Sequence, residues 1–185
     1  EIARSVVAGK IINSRTALLR AAREHDNVAS SEALSETSAH LARQLRLLEN
    51  PMPLDSVRGI EGDAGKEYFG VFEHLILAQK GDFPFQGRSR RPPTDTTNAL
   101  LSFVYTLLVH DVASALEGVG LDPAVGFLHR DRPGRPSLAL DLMEEFRPML
   151  ADRLVLTLIN RQQVRGKGFT VTETGAVLMD DATRK

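Results

Sequence analysis

Apolar residues recur at steps of three and four through most of this chain, a spacing that predicts a succession of helices rather than strands. Ile2, Val6, Ile12, Leu18, Leu19 and Ala22 mark a first helix of about six turns, interrupted by Gly9. Ser30 or Ser31 is placed to cap a second, with Leu34, Leu41, Leu45 and Leu48 along one side and Pro51 and Pro53 as its stop. Asp55 then stands as the N-cap of a third, in which Val57, Ile60, Ala64, Tyr68, Phe72 and Leu75 continue the stripe for about six turns. A loop punctuated by proline and glycine runs from Lys80 to Thr97, and within it Asp95 caps a further helix carrying Leu100, Leu101, Val104, Leu107 and Leu108. That helix is apolar enough to lie at the centre of the fold. Only near the end does the period change: FTVTETGAVLMDDATRK reads as two short strands around Glu173 to Gly175. The expected architecture is all-α, a single helical domain over residues 1–185 with a short β-hairpin near the C-terminus.

Composition narrows the class without naming a function. With 185 residues, 42% of them apolar, the chain can bury one core. The absence of cysteine excludes disulfides and thiolate zinc sites, and fits a cytoplasmic location. No hydrophobic run approaches the ~20 residues of a membrane span, and no signal-peptide pattern opens the chain, so a soluble protein without a membrane partner is expected. A formal net charge of −1 argues against a surface that coats nucleic acid indiscriminately. Any DNA contact must be local.

Two arginine-rich loops supply such local charge. In the first, Arg88, Arg90 and Arg91 precede Pro92 and Pro93, which stiffen the segment and reduce the entropy lost when a phosphate arrives. DNA backbone binding is one reading and pairing with acidic helix ends is the other; Arg88 and Arg90 are the expected outward pair. The second loop lies in LHRDRPGRPSLALDLMEEFRP, from Leu128 to Pro148, where Arg130, Arg132 and Arg135 separate His129 from a helix bearing Asp141 and Glu144. Residues three apart share a helix face, and the loop is short enough to return His129 toward both carboxylates. One imidazole nitrogen with carboxylate oxygens suits Mg²⁺ or Mn²⁺, and the neighbouring guanidinium groups could hold a phosphodiester over such an ion. The same residues also read as a structural histidine near a helix start and a solvated acidic face.

Two further features call for a physical reason. Gly59, Gly62 and Gly65 surround Glu61 at intervals of three, although glycine inside a helix costs about 1 kcal/mol against alanine. Either another helix packs tightly there or a ligand backbone needs room beside Glu61. Asn98, Ser102 and Tyr105 form a polar face on an otherwise apolar helix, supporting a metal site through hydrogen bonds or satisfying one another in the core.

Taken in order, IARSVVAGKIINSRTALLR, RGIEGDAGKEYF, FQGRSRRPPTDTTNALLSFVYTLL and the stretch from His129 to FRP resemble the CRISPR-associated integrase (Cas-one) family, in its C-terminal catalytic helical domain. SLALDLMEEFRP and INRQQV are similar to bacterial type I members. The resemblance implies that Glu61, His129 and Glu144 are catalytic and hold Mg²⁺ or Mn²⁺. Asp141 would stand behind them, since some members carry aspartate where Glu144 stands. It implies DNA contacts from Arg88, Arg90, Arg91, Arg130, Arg132, Asn98 and Tyr105. The implied activity is endonuclease and integrase chemistry: insertion of foreign DNA into a CRISPR array when a 3′-hydroxyl attacks, hydrolysis when water does. Implied partners are the foreign fragment and the CRISPR repeat, a second copy of the intact protein, and a small ferredoxin-like adaptation subunit. The family's β-rich N-terminal domain and last C-terminal segment have no counterpart here, so the chain is expected to be a fragment, and such a lobe could bind DNA without catalysing.

A competing motif is the His110–Asp111 doublet, which metal phosphohydrolases of the HD type combine with another histidine and a distant aspartate. His74 and either Asp141 or Asp152 could be nominated, but that arrangement leaves the arginine–proline loop and the glycine-flanked helix without a role.

Overall fold

In the computed structural model, which describes residues 1–130 and 132–184, helix α1 (Ile2–Glu24) buries Ala3, Val6, Val7, Lys10, Ile11, Ser14, Leu18 and Ala22. Ile2 and Ile12, expected to face inward, are each 47% exposed. The buried stripe is offset from the one read in the sequence because two of its members, Lys10 and Ser14, are polar and do not register in an apolar period. Helix α2 (Val28–Leu47) returns antiparallel: Ser31 Oγ donates to Ala22 O at 2.7 Å, Arg15 Nε to Ser38 O at 3.2 Å and Arg4 Nη1 to Leu48 O at 3.0 Å. Its cap is Asn27, whose side chain accepts from Ser30 N at 2.9 Å; Ser30 and Ser31 fall inside the first turn. Leu34, Leu41 and Leu48 are buried as expected, with Leu45 packed against them.

Helix α3 (Leu54–Gly70) begins after Pro53, so Asp55 lies in its first turn and pairs with Arg58 at 2.8 Å instead of capping. The helix ends sooner than the apolar stripe does, and a 3₁₀ turn (Phe72–Leu75) carries the last two positions inward. Tyr68, Phe69, Phe72 and Phe85 form an aromatic cluster with ring centroids 4.8 to 6.0 Å apart. The tight-packing explanation of the glycines is not met. Nothing lies within 4 Å of a Cβ built on Gly59 or Gly62, and Gly65 would meet only Lys10 Nζ at 3.8 Å. The room at Gly62 and Gly65 opens instead on a cavity beside Glu61.

Asp95 caps helix α4 (Thr96–Gly118) as expected, accepting from Asn98 N at 2.7 Å. Thr97 to Leu101 and Val104 are buried, whereas Leu107, expected inside, is 47% exposed. Against the expectation that no apolar run is long enough, α4 has the length and the mean hydropathy, 1.6, to cross a membrane. Its only charged residues are Asp111 and Glu117. Its N-terminal half serves here as core.

Helix α5 (Ser137–Phe146), a π turn (Arg147–Asp152) and α6 (Arg153–Asn160) follow one another without a break. Asn160 fastens the start of the long loop, accepting from Leu77 N at 2.8 Å and donating to Leu75 O at 2.9 Å. Helix α1 lies directly on α5. A Cβ on Gly9 would meet Glu145 Oε2 at 2.9 Å and Glu145 Cβ at 3.2 Å, and Asn13 Nδ2 donates to Glu145 O at 2.8 Å. The glycine that interrupts α1 in the sequence is thus what lets the two helices touch. Strands β1 (Phe169–Val171) and β2 (Val177–Met179) pair antiparallel, Thr170 opposite Leu178, around the turn predicted at Gly175. The class is mainly helical, as the periodicity indicates.

Candidate functional site

Asp141 organises the loop that carries His129. Its Oδ2 accepts from Phe127 N at 2.6 Å and Leu128 N at 2.8 Å, and its Oδ1 accepts from His129 N at 2.9 Å and contacts His129 Nδ1 at 2.6 Å. Burial alone would raise this carboxyl, but His129 and the three backbone N–H groups outweigh it and hold it below the usual value. With a carboxylate as partner, Nδ1 carries the ring proton and Nε2 keeps its lone pair for a ligand. The loop closes tightly here: a Cβ on Gly126 would lie 2.7 Å from Ser137 Cβ and 2.8 Å from its carbonyl carbon. Arg58 Nε adds a clamp from α3, donating to Leu128 O at 2.7 Å. Asp141 is therefore spent on its own loop and supports His129 from behind.

Glu144, one turn further along α5, is 2% exposed and sits between two cations. Arg147 Nη1 lies 2.8 Å from Oε1, and Lys10 Nζ lies 2.7 Å from Oε2 while also contacting Glu61 Oε1. Burial would raise the Glu144 carboxyl; Lys10 and Arg147 outweigh it and hold it below its ordinary value. Burial likewise would lower the Lys10 ammonium, and Glu144 and Glu61 keep it above its ordinary value. Three elements, α1, α3 and α5, thus converge on one charge cluster. His129 is joined to the same helix through Asp141, one turn before Glu144.

The donor chemistry fits a hard divalent ion: two carboxylates from separate helices and a neutral imidazole nitrogen. Glu144 Oε2 is buried against the Lys10 ammonium at 2.7 Å, so a metal at this oxygen would meet that cation. Among the described residues no three His, Asp or Glu side chains gather at coordinating distance, and the Lys10 ammonium lies between Glu61 and Glu144.

A cavity of about 650 Å³ opens beside this cluster, lined by Glu61, Lys10, Gly62, Gly65, Arg88, Arg90, Tyr105, Arg147 and Asp152 among others. Its floor departs from expectation. Arg88, expected to point outward, turns in: Nη1 donates to Asn98 Oδ1 and Ser89 O, both at 2.6 Å, and Nη2 to Ser102 Oγ at 3.2 Å. Asn98, expected to contact DNA, is fully buried and also donates to Gly87 O at 2.8 Å and Asp95 Oδ2 at 2.6 Å, so it braces the arginine loop. The polar face of α4 thus neither reaches the candidate ligands nor bonds within itself: Asn98 and Ser102 accept from Arg88, and Tyr105 donates to Asp152. Tyr105 is held between two guanidinium groups, Arg88 at 5.1 Å and Arg147 at 4.9 Å from its ring centroid, and its hydroxyl donates to Asp152 Oδ1 at 2.5 Å.

From the sequence Asp152 is a candidate only as a member of the HD set. Burial pushes its carboxyl up to about 6, against the lowering pulls of Tyr105, Tyr68, Arg147 and Arg88. The folded chain holds this proton more tightly than the unfolded one, so the stability it contributes is full below the ordinary value of 3.8 and is lost as pH rises through about 6. Asp152→Asn should remove that component. The difference between variant and wild-type unfolding free energies, measured by urea denaturation, is expected to change across this window, and a difference independent of pH would show that Asp152 titrates normally.

Arg90, Arg91, Arg130 and Arg132 are exposed, as a phosphate-binding role requires; Arg130 reaches only a loose 3.5 Å contact with Asp55. The HD arrangement is not assembled. His110 and Asp111 are exposed on α4, His74 Nδ1 pairs with Ser30 Oγ at 3.0 Å, Asp152 is bonded to Tyr105 and Asp141 to His129. Lys10 and Arg147 escaped notice in the sequence. The available signal was a charged residue at a position where helical spacing puts the core.

Over residues 1–185 the chain matches the family described as CRISPR associated protein Cas1. It is 55% identical over 184 residues to the CRISPR-associated endonuclease Cas1 1 of Chlorobaculum tepidum, covering 100% of this chain and 54% of that relative. Among solved structures it superposes on a casposase bound to integration product with a TM-score of 0.82 at 28% identity, over 100% of this chain and 49% of that one. A Cas6-RT-Cas1–Cas2 complex gives a TM-score of 0.84 at 28% identity, over 99% of this chain and 20% of that one. The chain spans about half the length of the first two. With a match along its whole length and more than half its residues shared with a named member, this chain belongs to the CRISPR-associated Cas1 family.

Proposed function

We propose that this chain is the catalytic helical lobe of a metal-dependent DNA endonuclease and integrase that inserts foreign DNA fragments into a CRISPR array, in the cytoplasm. The observation that carries the reading is the bridging of Glu61 and Glu144, from separate helices, by Lys10 beside an arginine-lined cavity, with His129 tied through Asp141 to the helix that bears Glu144. Glu61, Glu144 and Nε2 of His129 are the groups that would hold Mg²⁺ or Mn²⁺. Bound there, the ion would polarise the scissile phosphate and stabilise charge on the attacking or leaving oxygen. The chain's own residues do the rest: Asp141 fixes the tautomer and direction of His129, and Arg147 sets the orientation of Glu144. A 3′-hydroxyl as nucleophile gives strand transfer and water gives hydrolysis.

Arg90, Arg91, Arg130 and Arg132 would hold the DNA backbone, which positions the duplex without reading its sequence. Replacing Arg90 and Arg91 together is expected to make the log–log salt dependence of DNA affinity shallower by about 0.9 per lost phosphate contact, so by roughly two units. An unchanged slope would assign both to the loop's own structure. The partners of this reading are a second copy of the protein and a small ferredoxin-like subunit; the fold's similarity to a Cas6-RT-Cas1–Cas2 complex supports a protein partner and its similarity to a casposase bound to integration product supports DNA.

The deciding experiment is strand transfer on a branched DNA substrate by the full-length protein, with Mn²⁺ and with chelator. Product that requires the metal supports the proposal. Product made equally in chelator would remove the ion from it, and no product in either would favour a lobe that binds DNA without cutting it.

A further inference from the structure

Among the described residues Lys10 is the cation that touches both candidate ligand carboxylates. Its ammonium contacts Glu61 Oε1 and lies 2.7 Å from Glu144 Oε2, with only 10% of the side chain exposed. It reaches them because Gly9 lets α1 lie against Glu145 of α5. The charges of the cluster balance: Glu61 and Glu144 carry two negative charges, Lys10 and Arg147 two positive ones. A divalent ion brought to the same oxygens would leave two positive charges in excess and would face an ammonium at contact range, where like charges repel strongly. The ion and the ammonium cannot share the space between the two carboxylates.

There is room for one of them to leave. Lys10 lines the cavity, and the wall beside it is built of Gly62 and Gly65; a Cβ on Gly65 would stand 3.8 Å from Nζ and one on Gly62 would meet nothing within 4 Å. Lysine's four-carbon stem is flexible enough to swing into that opening. Glycine at these two positions, which helix packing does not explain, is accounted for by such a path.

We propose that Lys10 is a built-in competitor for the divalent ion: it holds Glu61 and Glu144 together and releases them when the ion binds, turning its ammonium into the cavity where a DNA phosphate would meet it. The inference rests on the reading of Glu61, His129 and Glu144 as the ligands of that ion. It makes metal affinity weaker than the donor set alone would give, and it couples metal arrival to the appearance of a phosphate-binding cation.

The test is Mn²⁺ binding by calorimetry to the full-length protein, comparing wild type, Lys10→Met and His129→Ala. Lys10→Met should bind Mn²⁺ on the order of tenfold more tightly than wild type, and the added metal should raise its melting temperature by more. Equal or weaker binding by Lys10→Met, with His129→Ala weakened, overturns the competitor role alone and leaves the metal site standing. If wild type binds no Mn²⁺, or His129→Ala binds it as wild type does, the metal reading fails and the inference with it. A second measurement needs no variant to fold: acylation of Lys10 in the wild-type protein by an amine-reactive reagent, read by mass spectrometry. Mn²⁺ should increase its labelling, and unchanged or decreased labelling would overturn the release.

Discussion

Replacing Glu144 with alanine is expected to cost the fold about 3–5 kcal/mol, the range seen when one partner of a buried ion pair is removed. The carboxylate is 2% exposed and faces Lys10 and Arg147, whose side chains are 10% and 15% exposed, so the substitution strands two cations away from water. The acid limb should show the same dependence. Because Glu144 is held below its ordinary value of 4.5, the stability it contributes is present above that pH and is lost as pH falls through the lowered folded value. Urea unfolding near neutrality measures the first effect, and the alanine variant should lack Glu144's share of the acid loss. A cost under about 1 kcal/mol would mean that both cations rehydrate or re-pair, and that the cluster is more open than its burial indicates.

His129→Ala should separate chemistry from folding where Glu144→Ala cannot. The imidazole is 22% exposed, and Asp141 keeps its three backbone donors without it, so the stability change should stay within about 1.5–3 kcal/mol, the range of a single hydrogen bond to a charged group and below the cost at Glu144. Metal-dependent strand transfer, by contrast, should fall on the order of 100-fold or more, because the only nitrogen of the proposed ligand set disappears. Circular dichroism and strand transfer on the same preparation make the comparison. Retained activity with a retained fold would place the reacting centre away from His129.

The helices were legible because apolar spacing reports burial directly, and the hairpin because its period and its turn glycine are local signals. What the sequence blurred were positions where polar residues do the work of apolar ones. Lys10 and Ser14 occupy the inner face of α1 and shifted the apparent stripe to Ile2 and Ile12. The pairing of His129 with Asp141 could be read from the short loop between them. Glu61 could be brought to them only by resemblance, since nothing in the linear order says that α1 lays a lysine across α3 and α5. Arg88 misled for a related reason: a basic, proline-stiffened loop looks outward in composition, yet the acceptors that turn Arg88 inward are Asn98 and Ser102, one turn apart on a helix that begins later in the chain. The cap of α2 was missed because Asn27 precedes two serines that are equally good candidates by type, and only geometry chooses among them.

The π turn between α5 and α6 has a consequence for how this segment can change. Glu144 and Asp152 are eight positions apart, which on an uninterrupted α-helix would set them about 80° apart around the axis. A π turn absorbs roughly one extra residue, bringing the two to within about 20° of each other. One rod can therefore aim one acid at the ligand cluster and another at the tyrosine floor. Deleting a single residue from Arg147–Asp152 would collapse the π turn to ordinary α-helix and leave the two acids on the same side of the rod, whereas the same deletion within α5 or α6 would rotate everything beyond it by about 100°. A one-residue difference in length is accordingly absorbed in this stretch with little change of aim, and natural length variation along the rod should fall here sooner than in its α-helical parts, with Arg147 and Asp152 kept for their partners.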